Sequence, residues 1–185
     1  MSNYFILDNN VISETLRNLK PQVVFQNIWE TLEEGIENES IVSVDEVYRE
    51  LEKWEDAKNS EMWEWIKNNK KAFQATTNEE GEIVAEIYKY PKFREGIKER
   101  SMRTGSPEAD AFLVAKAKTM NGILVTQEKY KNNSSKLPNI CEKFDVPYVN
   151  RDNFYQILDN IYNGRNVLKD VTLGNFKDES DKEET

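Results

Sequence analysis

Four carboxylates stand where a sequence pattern changes or breaks, and oxygen-rich chemistry is what they could share. Asp8 ends the apolar run Tyr4-Phe5-Ile6-Leu7. Glu50 falls three residues after Val47 and four before Trp54, on the apolar stripe of an expected helix. Asp110 precedes Leu113, Val114 and Ala117 by three, four and seven residues, on another such stripe. Glu128 follows Ile123-Leu124-Val125-Thr126 much as Asp8 follows the first run. An unpaired carboxylate on a buried stripe is costly, and such breaks in pattern mark functional positions. Four carboxylates brought together would hold their protons tightly unless a cation joined them. Mg²⁺ or Mn²⁺ prefers oxygen ligands and suits that arrangement. Glu46, one helical turn before Glu50, is a rival for the second position.

Other chemistries are excluded by what the chain lacks. It has no histidine, which removes His-based triads, His-ligated zinc and imidazole acid–base catalysis. It has no glycine-rich phosphate loop. The single cysteine, Cys141, cannot form an internal disulfide and lies between apolar neighbours, as a small core residue would. It fits a reducing cytoplasm. A net charge of −9 argues against loose binding to nucleic acid, but the charge is uneven. Residues 30–64 hold 13 acids and 3 bases, whereas residues 89–103 hold six bases and two acids. That basic segment either meets RNA or pairs with the acidic one. No apolar run approaches the ~20 residues of a membrane span.

The elements that would position the acids follow from periodicity and punctuation. Residues 4–7, 41–44, 123–126 and 146–149 are expected strands, with a further short one in 72–76. Helices are expected after Asp8, from Pro21 to about Gly35 or Asn38, from Asp45, within 58–71, and from Thr77 to about Tyr88. Thr77-Asn78-Glu79-Glu80 has capping-box form. Ser106 and Pro107 are expected to start the helix bearing Asp110, and Gly122 to end it. A short helix holds Ile140 and Phe144, and a final one starts near Asp152. Strands alternating with helices imply an α/β fold with a mainly parallel sheet of four or five strands. In open sheets of this kind ligands gather beyond the carboxyl ends of strands. All four acids can face that edge. One domain over residues 1–170 is expected, with an acidic, disordered tail at 171–185.

Taken in order, four pieces resemble the PIN-domain nucleases. They are Phe5 to Asn10, Ser43 to Leu51, Ala109 to Ala117, and Val125 to Glu128. The resemblance is closest to an uncharacterised PIN-like family, which also shows something like Lys136-Leu137-Pro138-Asn139-Ile140-Cys141. It spans roughly residues 4–160. It implies a three-layer sandwich and a Mg²⁺- or Mn²⁺-dependent ribonuclease similar to the toxins of bacterial toxin–antitoxin pairs. On that basis Asp8, Glu50, Asp110 and Glu128 correspond to the acidic quartet, with Asn10 and Thr126 supporting it. Lys129, Lys131 and Lys136 are candidate phosphate contacts, and Tyr88, Tyr90 and Phe93 candidate platforms for unpaired bases. Implied partners are an RNA substrate, a cognate antitoxin protein and a second copy of the chain. Two departures stand out: the last acid is usually Asp, and residues 52–105 form a longer, more aromatic insertion, expected to be helical. A catalytically silent scaffold and a structure-selective DNA nuclease remain alternatives.

Overall fold

The structure, a computed structural model, describes residues 4–18, 25–53, 61–104 and 108–174. Five strands make one all-parallel sheet in the order β3-β2-β1-β4-β5. They are β1 (Phe5–Leu7), β2 (Ile41–Val44), β3 (Phe73–Gln74), β4 (Ile123–Val125) and β5 (Tyr148–Val149). Each of β1, β2 and β4 is buried along its whole length, as central parallel strands covered on both faces must be. Register pairs Leu7 with Val125, so the next residues, Asp8 and Thr126, leave the sheet side by side.

The chain builds outward from β1 through β2 to β3, then crosses back to place β4 on the other side of β1. The strand order therefore reverses between β1 and β4, and ligands in open parallel sheets bind beyond the carboxyl ends of strands at such a reversal. Helices cover both faces and complete three layers. The central one, α7 (Asp110–Thr119), packs on β1, β2 and β4. It is buried nearly all round, so its sequence shows little polar face. It is backed by α5 (Asn78–Lys89) and α8 (Leu137–Lys143). On the sheet's other side α2 (Gln26–Glu37) packs on β2 and on α9 (Arg151–Tyr162). The remaining helices are α1 (Asn9–Asn18), α3 (Asp45–Glu52), α4 (Glu61–Asn68) and α6 (Pro91–Thr104). No helix among the described residues is long and apolar enough to cross a membrane.

Several local expectations are refined. Gly35 does not end α2; it lies inside the helix, where a Cβ would meet Ile41 Cδ1 at 2.3 Å, and Asn38 is the cap. Pro91 opens α6, where its fixed φ and missing N–H do no harm. Asn150, not Asp152, caps α9 by accepting from the Asn153 backbone N–H. The Thr77–Glu80 capping box is complete in both directions. Within 52–105 the short strand expected in 72–76 is present as the edge strand β3. The helix bearing Asp110 does not start at Pro107: it begins at Asp110, with Ala109 at its N-cap. Pro21, Trp54, Ser106, Pro107 and the tail from 175 onward lie outside the described residues.

Candidate active site

Asp8 is the first residue beyond β1 and is almost fully buried. Its backbone N–H donates to the Val125 carbonyl, which fixes the chain just as the strand ends. The Thr126 hydroxyl donates to Asp8 Oδ2 at 3.0 Å. It also accepts the Glu128 backbone N–H at 3.1 Å, so one hydroxyl ties the first acid to the last. Across the strand, Ser43 Oγ donates to the Leu7 carbonyl at 2.7 Å. Burial pushes the Asp8 carboxyl up to about 7, with Glu128 and Glu50 adding to the rise and the Thr126 hydroxyl opposing it.

The other acids arrive from three directions. Glu50 sits in the second turn of α3, not at its start. Its Oε2 accepts from Asn9 Nδ2 at 2.8 Å and its Oε1 from the Ala109 backbone N–H at 3.2 Å. Burial raises its proton affinity, and Glu46 adds to the effect. Asp110 opens α7, and burial together with Glu128 raises its carboxyl well above the usual range, with Asp8 contributing. Arg100 opposes that rise through an ion pair with Asp110. Glu128 lies in the loop after β4, and its Oε2 accepts the Leu137 backbone N–H at 2.8 Å. The four expected acids therefore form one electrostatic cluster, each affecting at least one other.

Two further charged groups belong to the cluster and carried no sequence signal of their own. Glu108 pairs with Arg100 at 3.3 Å; burial raises its carboxyl, and Glu50 and Glu128 add to this. Arg100 was one of six bases in a segment without strong apolar periodicity. Burial works against its charge, but Asp110, Glu108 and Glu128 outweigh that cost. The spacing of Glu108 and Arg100 predicts nothing by itself, because α6 reaches α7 only through the tertiary fold. Of the supporting residues, Thr126 holds Asp8 directly. Asn10 is exposed, with its carbonyl accepting from Ser13 Oγ, whereas its neighbour Asn9 holds Glu50. The signal for Asn9 was its place directly after the strand-end acid. Glu46 is more buried than Glu50, with Oε2 unpartnered, and stands near Arg49.

The remaining candidates divide by position. Lys129 and Lys131 are exposed on the loop after β4, at the same edge as Asp8. Lys136 is half-buried and caps α8 through its backbone. Tyr88 lies near the acids, its hydroxyl pushed up by burial and by Glu108 and Asp110. Phe93 is core, and Tyr90 packs against it and against Phe144. Trp63 packs on Tyr48, and Trp65 on Trp29. Cys141 is fully buried, and burial and the Asp110 charge raise its thiol, so it is not a nucleophile. A cleft of about 550 Å³ bounded by Glu79, Lys118, Asn121 and Asp145 opens behind β4 and β5, at the opposite edge of the sheet.

The donor set consists of carboxylate oxygens, and several of them resist carrying their charge uncompensated. That chemistry fits a hard divalent cation. In the present side-chain arrangement no three acids among the described residues are grouped to hold a metal ion. Asp110 and Glu108 are paired with Arg100 instead.

No curated protein and no solved structure matches the chain. A family model described as a domain of unknown function (DUF4411) matches residues 5–160, which runs from the first residue of β1 to α9 and takes in every acid of the cluster. The chain belongs to that family.

Proposed function

We propose that the protein is a PIN-type endoribonuclease that hydrolyses RNA phosphodiester bonds with the help of Mg²⁺ or Mn²⁺. The observation that carries this reading is Asp8. It is a buried carboxylate at the strand-order reversal, pushed up to about 7 and raised in part by Glu128 and Glu50. Structural acids are not usually assembled at such cost; active sites are. Asp8, Glu50, Asp110 and Glu128 would hold the cation. When bound, it supplies an acidified water and positive charge for the developing oxyanions. The chain's own residues do the rest. The Thr126 hydroxyl and the Asn9 backbone N–H fix the Asp8 carboxylate. The raised proton affinity of the metal-free Asp8 marks a carboxylate whose charge a bound cation would stabilise. Lys129 and Lys131 offer charge to phosphates from the same edge.

The scaffold reading has one observation in its favour: the Arg100 pairs neutralise part of the cluster without any metal. A growth-arresting toxin with an antitoxin partner, able to pair with a second copy and working in the cytoplasm, is the biological setting we infer from the PIN resemblance. The experiment is cleavage of total cellular RNA by the purified protein with Mn²⁺, Mg²⁺ or EDTA, beside Asp8→Asn. Discrete fragments are expected only with metal and only from the wild-type chain. Cleavage that survives in the variant removes Asp8 from the mechanism. Metal binding without cleavage favours the scaffold.

A further inference from the structure

The acidic cluster already contains a cation, and its mounting is built. Arg100 lies in the third turn of α6. Its Nε donates to Glu108 Oε2 at 3.3 Å, and Nη2 donates to Asp110 Oδ2 and to the Ser135 carbonyl. Nη1 donates to Ser135 Oγ at 3.1 Å and to the same carbonyl at 3.3 Å. Gly96, one turn earlier, faces Ser135 so closely that a Cβ would come within 1.9 Å of Ser135 Oγ and 2.4 Å of its Cβ. The glycine lets α6 press against the loop after β4. That approach is what brings the arginine over Asp110. Helix, loop and acids are thus fitted together around one guanidinium.

A divalent cation entering the cluster would bring twice the charge to the same carboxylates. It would compete for the guanidinium's two carboxylate partners while leaving its hydrogen bonds to Ser135 in place. A guanidinium is a planar fork that matches two phosphate oxygens at once. We propose, resting on the nuclease reading, that Arg100 is the phosphate-binding residue of the site, held on Asp110 and Glu108 until a divalent cation takes those acids. Glu108 is then a fifth acid of the site, and its role is to hold the arginine in reserve. Cation and guanidinium compete for Asp110, whereas cation and phosphate support each other.

The test is calorimetric titration of Mn²⁺ into the metal-free wild-type chain, Arg100→Gln and Arg100→Lys. Fluorescence anisotropy with a labelled single-stranded 2′-O-methyl RNA in Mn²⁺ follows. The Arg100 side chain is 29% exposed, so the variants are expected to fold, which circular dichroism checks. Arg100→Gln should bind Mn²⁺ about tenfold more tightly, the scale of a half-buried ion pair. It should bind the oligonucleotide more weakly, with a salt dependence shallower by about one phosphate. Arg100→Lys should keep part of the oligonucleotide affinity. Equal Mn²⁺ affinity in wild type and Arg100→Gln, or undiminished oligonucleotide affinity, overturns this inference and leaves the nuclease reading standing. No Mn²⁺ binding by any of the three chains overturns both.

Discussion

Asp8 has an ordinary carboxyl value of 3.8 and titrates at about 7 in the fold. Between those values the folded chain holds a proton that the unfolded chain has released. The stabilisation from this group is therefore complete below the unfolded value and is lost as pH rises through about 7. Its full size is on the order of 4 kcal/mol. Asp8→Asn keeps an acceptor for the Thr126 hydroxyl and cannot ionise. In EDTA it should raise the melting temperature strongly at pH 8 and much less at pH 5. An equal gain at both values would mean that ionisation of Asp8 is not what strains the native state. Asp110→Asn should gain less, because it also removes a partner of Arg100. At this scale the sequence was informative about which acids come together. Of their expected holders Thr126 does hold Asp8, whereas Asn10 does not hold an acid; the entry of α1 directly after Asp8 turns Asn9 toward Glu50 instead.

Elements decide which side chains can meet. In α3, Glu46 and Glu50 lie one turn apart on one face, so periodicity cannot choose between them. The choice comes from outside the helix, where Asn9 and the Ala109 N–H converge on Glu50. In α6 the decisive residue is Gly96. Gly96→Ala gains helix propensity but drives a methyl into Ser135. A net loss of about 1–2 kcal/mol is expected by urea denaturation, since overpacking costs more than propensity returns. Ser135→Gly in that background should recover most of it. A Gly96→Ala chain as stable as wild type would show that the helix and loop do not need their close approach. The capping box at Thr77 was legible because all its atoms come from four consecutive residues. The seat of Arg100 was not, because its atoms come from residues 96 to 135.

At the scale of the whole molecule a buried ion pair among the described residues helps to tie the long insertion to the core. Lys116 on α7 meets Glu80 on α5 at 2.8 Å, with side chains only 4% and 5% exposed. Lys116 also donates to Gln74 and to the Ala75 carbonyl at the end of β3. Helix, helix and edge strand thus share one ammonium. Lys116→Met should cost about 3–5 kcal/mol by urea denaturation, because it leaves Glu80 charged and buried. Adding Glu80→Gln should restore part of the loss. A loss below ~1 kcal/mol for Lys116→Met would show that Glu80 takes up a proton or finds water instead.

The sequence by itself determined the parallel α/β architecture, the strands that carry it and the edge where the acids collect. Strand ends, caps and apolar periods are local properties, and Asp8, Asp110 and Glu128 sit directly on such signals. Tertiary structure alone decided the order β3-β2-β1-β4-β5 and the reversal beside Asp8. It also decided the membership of Asn9, Glu108 and Arg100. Those residues act through partners 8 to 41 positions away, or through helices whose approach depends on a missing side chain at Gly96. Proton affinities belong to the same class. They arise from burial and from charges that only folding brings together.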